Sequence, residues 1–170
     1  LKKDFPEERR TRVMVGAAKA ISVEDLVPEE EAVIMLTKDG YIKRINPQEY
    51  RMQKRGGKGL IGSEVAEDDF LAHFASAKTH DNVLFFTDRG RVFTAKIYEL
   101  PQGSRQSKGQ ALVNVIQISP EEKVTSMLPL DKIANSKFLF FATEKGLVKK
   151  VKLEAFASVR RNGLIALKIK

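Results

Sequence analysis

The stretch that decides the fold is AVIMLTKDGYIKRI, residues 32–45. Two apolar, β-type runs flank the pair Asp39-Gly40, and an Asp-Gly pair in that position is a strong signal for a two-strand hairpin. Glycine suits the turn because it adopts positive φ without a steric penalty. The stretch therefore predicts an antiparallel hairpin that turns at Gly40.

The same pattern occurs twice more, as NVLFFTDRGRVF in residues 82–93 and FLFFATEKGLVKK in residues 138–150. The turn glycines Gly40, Gly90 and Gly146 lie 50 and then 56 residues apart. We refer to the three predicted hairpins as hairpins 1, 2 and 3. An apolar residue follows each turn glycine by ten positions: Tyr50, Leu100 and Phe156.

A basic loop that ends in glycine follows each hairpin. We call these loop 1 (residues 53–59), loop 2 (residues 104–109) and loop 3 (residues 159–163). An apolar run after each loop predicts a strand, at residues 60–61, 112–116 and 164–167, and further strands are predicted at residues 70–75 and 124–128. Repeats of this length with about four strands each are typical of propeller-like blades.

The predicted fold is therefore all-β: a β-pinwheel or propeller-like array of four-stranded blades, with units at roughly residues 32–81, 82–136 and 137–170. The array as a whole covers residues 32–170, and residues 1–31 form a charged lead-in that we expect to be a linker or to dock elsewhere. Within this lead-in, Ser22 has the spacing of an N-cap for a short turn through Leu26. Phe85, Phe86, Phe140 and Phe141 are predicted to lie in the blade core.

The composition excludes several kinds of site. The chain of 170 residues has no cysteine, so it contains no disulfide and no thiolate nucleophile or ligand. Two histidines, His73 and His80, are too few for an all-histidine zinc site, and we expect both to be structural. No apolar run approaches the roughly 20 residues of a membrane span, and the expected location is the cytoplasm.

Positive charge follows the repeats. The net charge is +8 with a pI of about 9.7, which fits a nucleic-acid partner. Residues 32–62, 83–118 and 137–170 together carry a formal +15, whereas the other segments carry −7. Repeated blades place equivalent loops at equivalent positions, so we expect a cationic track on which DNA lies and bends through phosphate contacts.

Loop 1 has the densest charge. It reads QKRGGKG, and Arg51 stands just before it. Residues 57–62 match the dinucleotide pattern G-x-G-x-x-G formally, but the preceding strand and following helix that this site needs are not predicted there. A Walker loop also fails, because Gly59 follows Lys58 where serine or threonine is required. Loop 1 is therefore predicted to bind the phosphates of a polyanion.

Loop 1 in this blade context resembles the box Gln-x-Arg-Gly-Gly-Lys-Gly of the C-terminal domain of DNA gyrase A. Residues 24–27, 77–81, 89–92 and 146–150 support the resemblance, which covers nearly the whole chain. The family usually has arginine where this chain has Lys54, which keeps the charge but loses the guanidinium fork. The resemblance implies a β-pinwheel that wraps double-stranded DNA around its outer rim and supports ATP-dependent negative supercoiling by the whole enzyme.

The family domain usually has about six blades, whereas three units are counted here. The resemblance therefore implies a fragment of a type IIA topoisomerase without catalytic residues of its own. ATP and Mg²⁺ would act elsewhere in the holoenzyme, and no cofactor or metal is expected in this chain. Gyrase B and the remainder of gyrase A are the implied partners, and no membrane partner is expected. Three blades would form an incomplete ring with open sheet edges, which favours self-association.

Two alternatives remain open from the sequence. One is the C-terminal domain of the topoisomerase IV paralogue, which typically has a degenerate box; the other is a propeller that binds acidic proteins. Some of the hairpin cations are expected to face solvent without touching DNA. The predicted DNA-binding residues are Arg51, Gln53, Lys54, Arg55, Gly56, Gly57, Lys58, Gly59, Lys43, Arg44, Arg89, Arg91, Arg105, Lys108, Lys149, Lys150, Arg160 and Arg161.

Overall fold

The structure is a computed structural model that describes residues 22–49, 70–104 and 106–169. The fold is all-β in class, as predicted: within these ranges, antiparallel strands form three sheets and the two α-helices have one turn each. The elements in chain order are α1 (Val23–Leu26), β1 (Glu31–Thr37), β2 (Tyr41–Ile45), β3 (Leu71–Lys78), β4 (Asn82–Thr87), β5 (Arg91–Lys96), β6 (Gln110–Ala111), β7 (Val124–Pro129), α2 (Leu130–Ile133), β8 (Phe138–Ala142), β9 (Val148–Lys152) and β10 (Leu164–Ile165).

The three predicted hairpins are confirmed, and a threonine closes each turn. In hairpin 1, the N–H of Gly40 donates to the carbonyl of Thr37 at 3.1 Å, and the N–H of Tyr41 donates to Thr37 Oγ1 at 3.1 Å. Thr87 and Thr143 make the same two bonds in hairpins 2 and 3. The turn glycines have φ of 85°, 71° and 76°, a region that side chains disfavour.

Strands are exchanged between successive repeats. The first sheet has the order β3-β1-β2-β6, and the second has the order β10-β5-β4-β7. β6 follows hairpin 2 in the chain but pairs with hairpin 1, in the register Tyr41↔Ala111. β10 follows hairpin 3 but pairs with hairpin 2, in the register Val92↔Leu164. Each of these basic loops therefore lies beside the hairpin of the preceding repeat.

The strand predicted at residues 112–116 after loop 2 is wrong, and the strand predicted at residues 164–167 after loop 3 is too long. β6 covers only Gln110–Ala111, and a 3₁₀ turn follows at Leu112–Asn114. The chain turns there because Leu112 and Ile116 bury on one side of the turn, with Ile116 N–H donating to the Leu112 carbonyl at 3.0 Å. β10 ends at Ile165, because the N–H groups of the next two residues both donate to the carbonyl of Gly90.

Successive sheets share apolar cores. Val83, Phe85 and Phe93 of the second sheet belong to one cluster with Ile34 and Ile42 of the first sheet. The opposite face of the second sheet packs against the third repeat, in an edge-on aromatic set of Phe86 with Phe141 and Phe156. Such contacts add about 0.5–1.5 kcal/mol each beyond the area they bury. The predicted core roles of Phe85, Phe86 and Phe141 are confirmed.

The third sheet contains β8 and β9 alone among the described strands. Phe140, predicted to be core, is 68% exposed, and Val148 on β9 is 69% exposed. The prediction for Phe140 is wrong because alternate residues of a strand face opposite sides, and only the side of Phe141 packs against the second sheet. Lys150 covers the Phe140 ring with its ammonium 5.4 Å from the centroid.

The part of the lead-in that the structure describes docks onto the first two repeats. Ser22 caps α1 through a capping box with Asp25, as predicted. The carbonyl of Pro28 accepts a bond from Thr79 Oγ1 at 2.7 Å, and Lys96 pairs with Glu24 at 2.8 Å. In the described ranges, no helix has the length and apolar content needed to cross a membrane.

Candidate nucleic-acid interface

Loop 1 and its neighbour Arg51 lie outside the described residues, and so does Arg105 of loop 2. The assignment of DNA contacts to Arg51, Gln53, Lys54, Arg55, Gly56, Gly57, Lys58, Gly59 and Arg105 therefore stays a prediction.

Loop 2 lies on hairpin 1. The ammonium of Lys43 donates to the carbonyls of Ser104 at 3.3 Å and Ser107 at 2.7 Å. Gly109 has a φ of 86°, and a Cβ built on it would lie 2.5 Å from the carbonyl oxygen of Ile42. The loop thus approaches the hairpin so closely that glycine is required at this position.

Lys108 is the exposed cation of the described part of loop 2. Its ammonium lies 3.9 Å from the centroid of the Tyr41 ring, at the start of β2. A cation over an aromatic face is attracted by the ring quadrupole, by about 0.5–1 kcal/mol at a solvent-exposed site. Lys108 therefore has a defined position beside hairpin 1 and stays open to solvent.

Loop 3 has the equivalent position on hairpin 2. Gly163 has a φ of 80°, and a Cβ there would lie 2.6 Å from the ring of Phe93. Phe93 and Lys43 occupy the same position, three residues after their turn glycines. Arg91 Nη2 also donates to the carbonyl of Asn162 at 3.0 Å. Loops 2 and 3 therefore rest on equivalent surfaces of consecutive hairpins, as the repeat predicts.

The two arginines of loop 3 are exposed. Arg161 Nη2 pairs with Glu99 Oε1 at 2.5 Å, and its side chain remains 57% exposed. The hydrogen bond with Glu99, followed by the charge of that carboxylate, raises the pKa of Arg161 above its usual value. Arg160 is exposed at the head of the loop. Both are suited to phosphate contact.

One hairpin cation, Lys43, differs from the expectation that alternate hairpin positions face solvent. Lys43 is buried, with 3% of its surface exposed, so for this residue the expectation is wrong. The reason is that loop 2 arrives from about 60 residues away and covers it. Arg44 Nε donates to the carbonyl of Leu100 at 3.0 Å. The direct contacts of Lys43 and Arg44 with DNA stay predictions.

The other hairpin cations include both exposed and engaged groups. Arg89, on the turn of hairpin 2, pairs with Glu121 at 2.9 Å and is half exposed. Lys149 Nζ donates to the carbonyl of Ala166 at 2.7 Å, and Lys150 lies 4.0 Å from the centroid of Phe138. Arg91 has two partners: its Nη2 donates to the carbonyl of Asn162, and its Nη1 pairs with Glu122.

Sequence reasoning missed the group that fixes Arg91. The side chain of Glu122 is fully buried, accepts from Arg91 Nη1 at 3.0 Å and accepts a short bond from the hydroxyl of Thr87. In the sequence, Glu122 stands in an acidic connector and looks like a surface residue. The recurring threonine three residues before each turn glycine was a usable signal for one of its partners.

Comparison with known proteins defines the family. A family model described as the DNA gyrase C-terminal domain, a β-propeller, matches residues 31–78, 81–131 and 137–170. The chain belongs to this family. The resemblance inferred from loop 1 and the blades is therefore confirmed, and so is the β-pinwheel class.

Relatives of this gyrase-type domain include the DNA gyrase A protein of Staphylococcus epidermidis, 40% identical over 171 residues. That match covers 100% of this chain and 19% of the relative, so the chain spans about a fifth of the length of the curated relatives it matches.

Two solved structures have the same fold. One is the C-terminal domain of DNA topoisomerase IV, with a TM-score of 0.70 over 85% of this chain and 43% of that chain. The other is a DNA gyrase A C-terminal domain, with a TM-score of 0.63 over 83% of this chain and 44% of that chain. Both are 25% identical to this chain, so structural similarity alone does not separate the two paralogues.

Proposed function

We propose that this chain binds duplex DNA without sequence preference and bends it, as the C-terminal domain of a DNA gyrase A protein. The observation that carries the proposal is the equivalent placement of loops 2 and 3 on consecutive hairpins, with Lys108, Arg160 and Arg161 exposed. Gyrase relatives at 40% identity favour this function over that of the topoisomerase IV paralogue.

The proposed mechanism is phosphate neutralisation. Each cation that contacts a phosphate releases condensed counterions, and this release favours binding whatever the base sequence. Loops on successive hairpins would contact the DNA phosphate backbone at intervals along the duplex. A duplex that follows these loops must bend. Loop 1 would add the densest group of contacts, because it holds three cations in seven residues.

In the whole enzyme, bent DNA would be presented to the cleavage core, and the proposed partners are gyrase B and the remainder of gyrase A. ATP and Mg²⁺ would act on those parts, so this chain would support supercoiling without catalysing it. The proposed location is the cytoplasm, where bacterial DNA lies.

The test is a salt series of DNA binding combined with a bending assay. Affinity for duplexes of unrelated sequence should fall together as salt rises, with a slope of log affinity against log salt of about 0.9 per phosphate contact. A duplex labelled at both ends should show shorter end-to-end distances by FRET when bound. A chain that binds acidic peptides but no duplex would instead be a protein-binding propeller. A supercoiling assay of the full-length enzyme distinguishes gyrase from topoisomerase IV.

We also propose that the third sheet pairs with another copy of this chain when the chain is isolated. Among the described strands, β8 and β9 pair only with each other, and exposed Phe140 and Val148 lie on them. Unpaired strand edges with apolar side chains favour edge-to-edge association. Light scattering should show a mass that rises with concentration, and a constant monomer mass contradicts this proposal.

A further inference from the structure

We propose that Lys43 and Arg91 are positioning residues, which fix the basic loop of the following repeat and do not neutralise phosphate themselves. The proposal deepens the DNA-binding function above and rests on it. It reassigns two of the predicted DNA contacts: hairpin 1 becomes the support for loop 2, and hairpin 2 becomes the support for loop 3.

The first observation is the environment of Lys43. Its ammonium donates to two carbonyls of loop 2, those of Ser104 and Ser107, and the residue is 3% exposed. A buried ammonium is costly unless its protons are bonded, so the loop's carbonyls and the lysine stabilise each other. A phosphate could reach this nitrogen only if loop 2 moved away.

The carbonyls of loop 2 that bind the Lys43 ammonium belong to a hydrogen-bonded turn. Ser107 N–H donates to the Ser104 carbonyl at 3.2 Å, and the Ser107 hydroxyl donates to the same oxygen at 2.9 Å. The backbone of Gly103 donates to the carbonyl of Arg44 at 3.0 Å. Lys108, the exposed cation, follows directly after Ser107, so its position depends on how this turn is held.

Arg91 makes the equivalent link in the next repeat by a different route. One nitrogen binds the buried carboxylate of Glu122, and the other binds the carbonyl of Asn162 in loop 3. Its guanidinium also lies 4.5 Å from the centroid of Phe93, the ring against which Gly163 packs. A guanidinium carries its donors on separate nitrogens of a planar fork, whereas an ammonium must hold all its partners at one nitrogen. Arg160 and Arg161 stand just before Asn162.

The experiment with Lys43 compares two variants that lose the same charge. Lys43→Met should speed hydrogen exchange at Ser107 N–H roughly tenfold or more and weaken duplex binding, with the salt slope within a few tenths of the parent. Lys38→Met, on the turn of the same hairpin, should leave the exchange unchanged. A fall in slope of about 0.9 for Lys43→Met with unchanged exchange would identify a phosphate contact and overturn the proposal.

The experiment with Arg91 keeps the charge and changes the geometry. Arg91→Lys should weaken duplex binding and speed exchange at Gly163 N–H, because the single nitrogen of a lysine cannot reproduce the two bonds that Arg91 makes from separate nitrogens to Glu122 and Asn162. A phosphate contact would survive this exchange of cations, so unchanged affinity and exchange overturn the role of Arg91. Lys108→Gln is the contrast: its salt slope should fall by about 0.9 while loop exchange stays at the parent rate.

A measurement on the unmutated chain covers the case in which a variant does not fold. With lysine side chains labelled with ¹⁵N, a DNA titration should shift the Nζ signal of Lys108 and leave that of Lys43 in place. A large shift at Lys43 overturns the proposal. If the parent binds no duplex at all, the proposed function fails, and the exchange rates of Lys43→Met and Arg91→Lys still decide whether these residues hold the loops.

Discussion

Arg91 Nη1 and the carboxylate of Glu122 are joined by a 3.0 Å ion pair whose acidic member has no exposed side-chain surface. The pair connects the start of β5 to the connector before β7, and the hydroxyl of Thr87 completes the site of the carboxylate. It lies directly beneath loop 3, since Arg91 also reaches the carbonyl of Asn162.

Glu122→Gln should lower the free energy of unfolding by about 1–3 kcal/mol, because it leaves the Arg91 charge without its acidic partner in a site that is mostly shielded from water. The value stays below that of a fully buried pair because the Arg91 side chain is 30% exposed. Urea unfolding measures it. Glu121→Gln, which changes an exposed pair with Arg89, should stay within about 0.5 kcal/mol of the parent. An equal loss of unfolding free energy in the two variants would contradict the assignment of Glu122 as the buried partner of Arg91.

Gly90→Ala should cost more stability than Gly40→Ala. Both glycines have positive φ, which costs alanine about 1–2 kcal/mol, but a Cβ at Gly90 would lie 2.1 Å from the Leu167 carbonyl oxygen, whereas a Cβ at Gly40 meets nothing within 4 Å. We expect about 1 kcal/mol for Gly40→Ala and about 3 kcal/mol for Gly90→Ala. Thermal and urea unfolding compare them, and a reversed order contradicts the packing of residues 166–167 on this turn.

Phe156→Ala should lower the free energy of unfolding by about 3–5 kcal/mol, because it opens a cavity beside Phe86 and Phe141. Phe156 is 2% exposed and lies between the second and third sheets. Phe140→Ala, at a residue that is 68% exposed, should change stability by less than about 1 kcal/mol. Urea unfolding of the two variants tests which of these phenylalanines belongs to the core.

Changing Lys54, Arg55 and Lys58 together to alanine should reduce the salt slope of duplex binding by up to about 2.7, which corresponds to three phosphate contacts at about 0.9 each. The affinity for duplexes of different sequence should fall by the same factor. The control changes Lys2, Lys3 and Lys19 of the lead-in to alanine, which alters the net charge equally outside the repeats. The same slope in both triple variants would show that loop 1 holds no specific set of contacts.

The hairpins and their turns could be read from the sequence because their signals are local. A turn that ends in Asp-Gly, Arg-Gly or Lys-Gly between two apolar runs, found three times, is recognised without knowledge of distant residues. Leu100 and Phe156, the apolar residues ten positions after their turn glycines, are both buried.

What could not be read depends on which distant segments meet. The strand exchange joins β6 to β2 through two residues, and nothing in Gln110-Ala111 indicates that its neighbour lies about 70 residues earlier. Lys43 looks like an exposed strand residue until loop 2 covers it. Glu122 looks like part of an acidic connector until Arg91 and Thr87 are brought to it by the second sheet.

The exchanged strands interlock the repeats. β10 belongs by sequence to the third repeat but forms the outer strand of the second sheet, and loop 3 leads directly into it. If bent duplex DNA pulls on Arg160, as the proposed function implies, the load would be divided between the third repeat, to which loop 3 is joined covalently, and the second sheet, to which β10 is hydrogen-bonded. Removing residues 137–170 would leave β5 of hairpin 2 without its outer partner, so shortening the array by one unit also removes a strand from the unit before it.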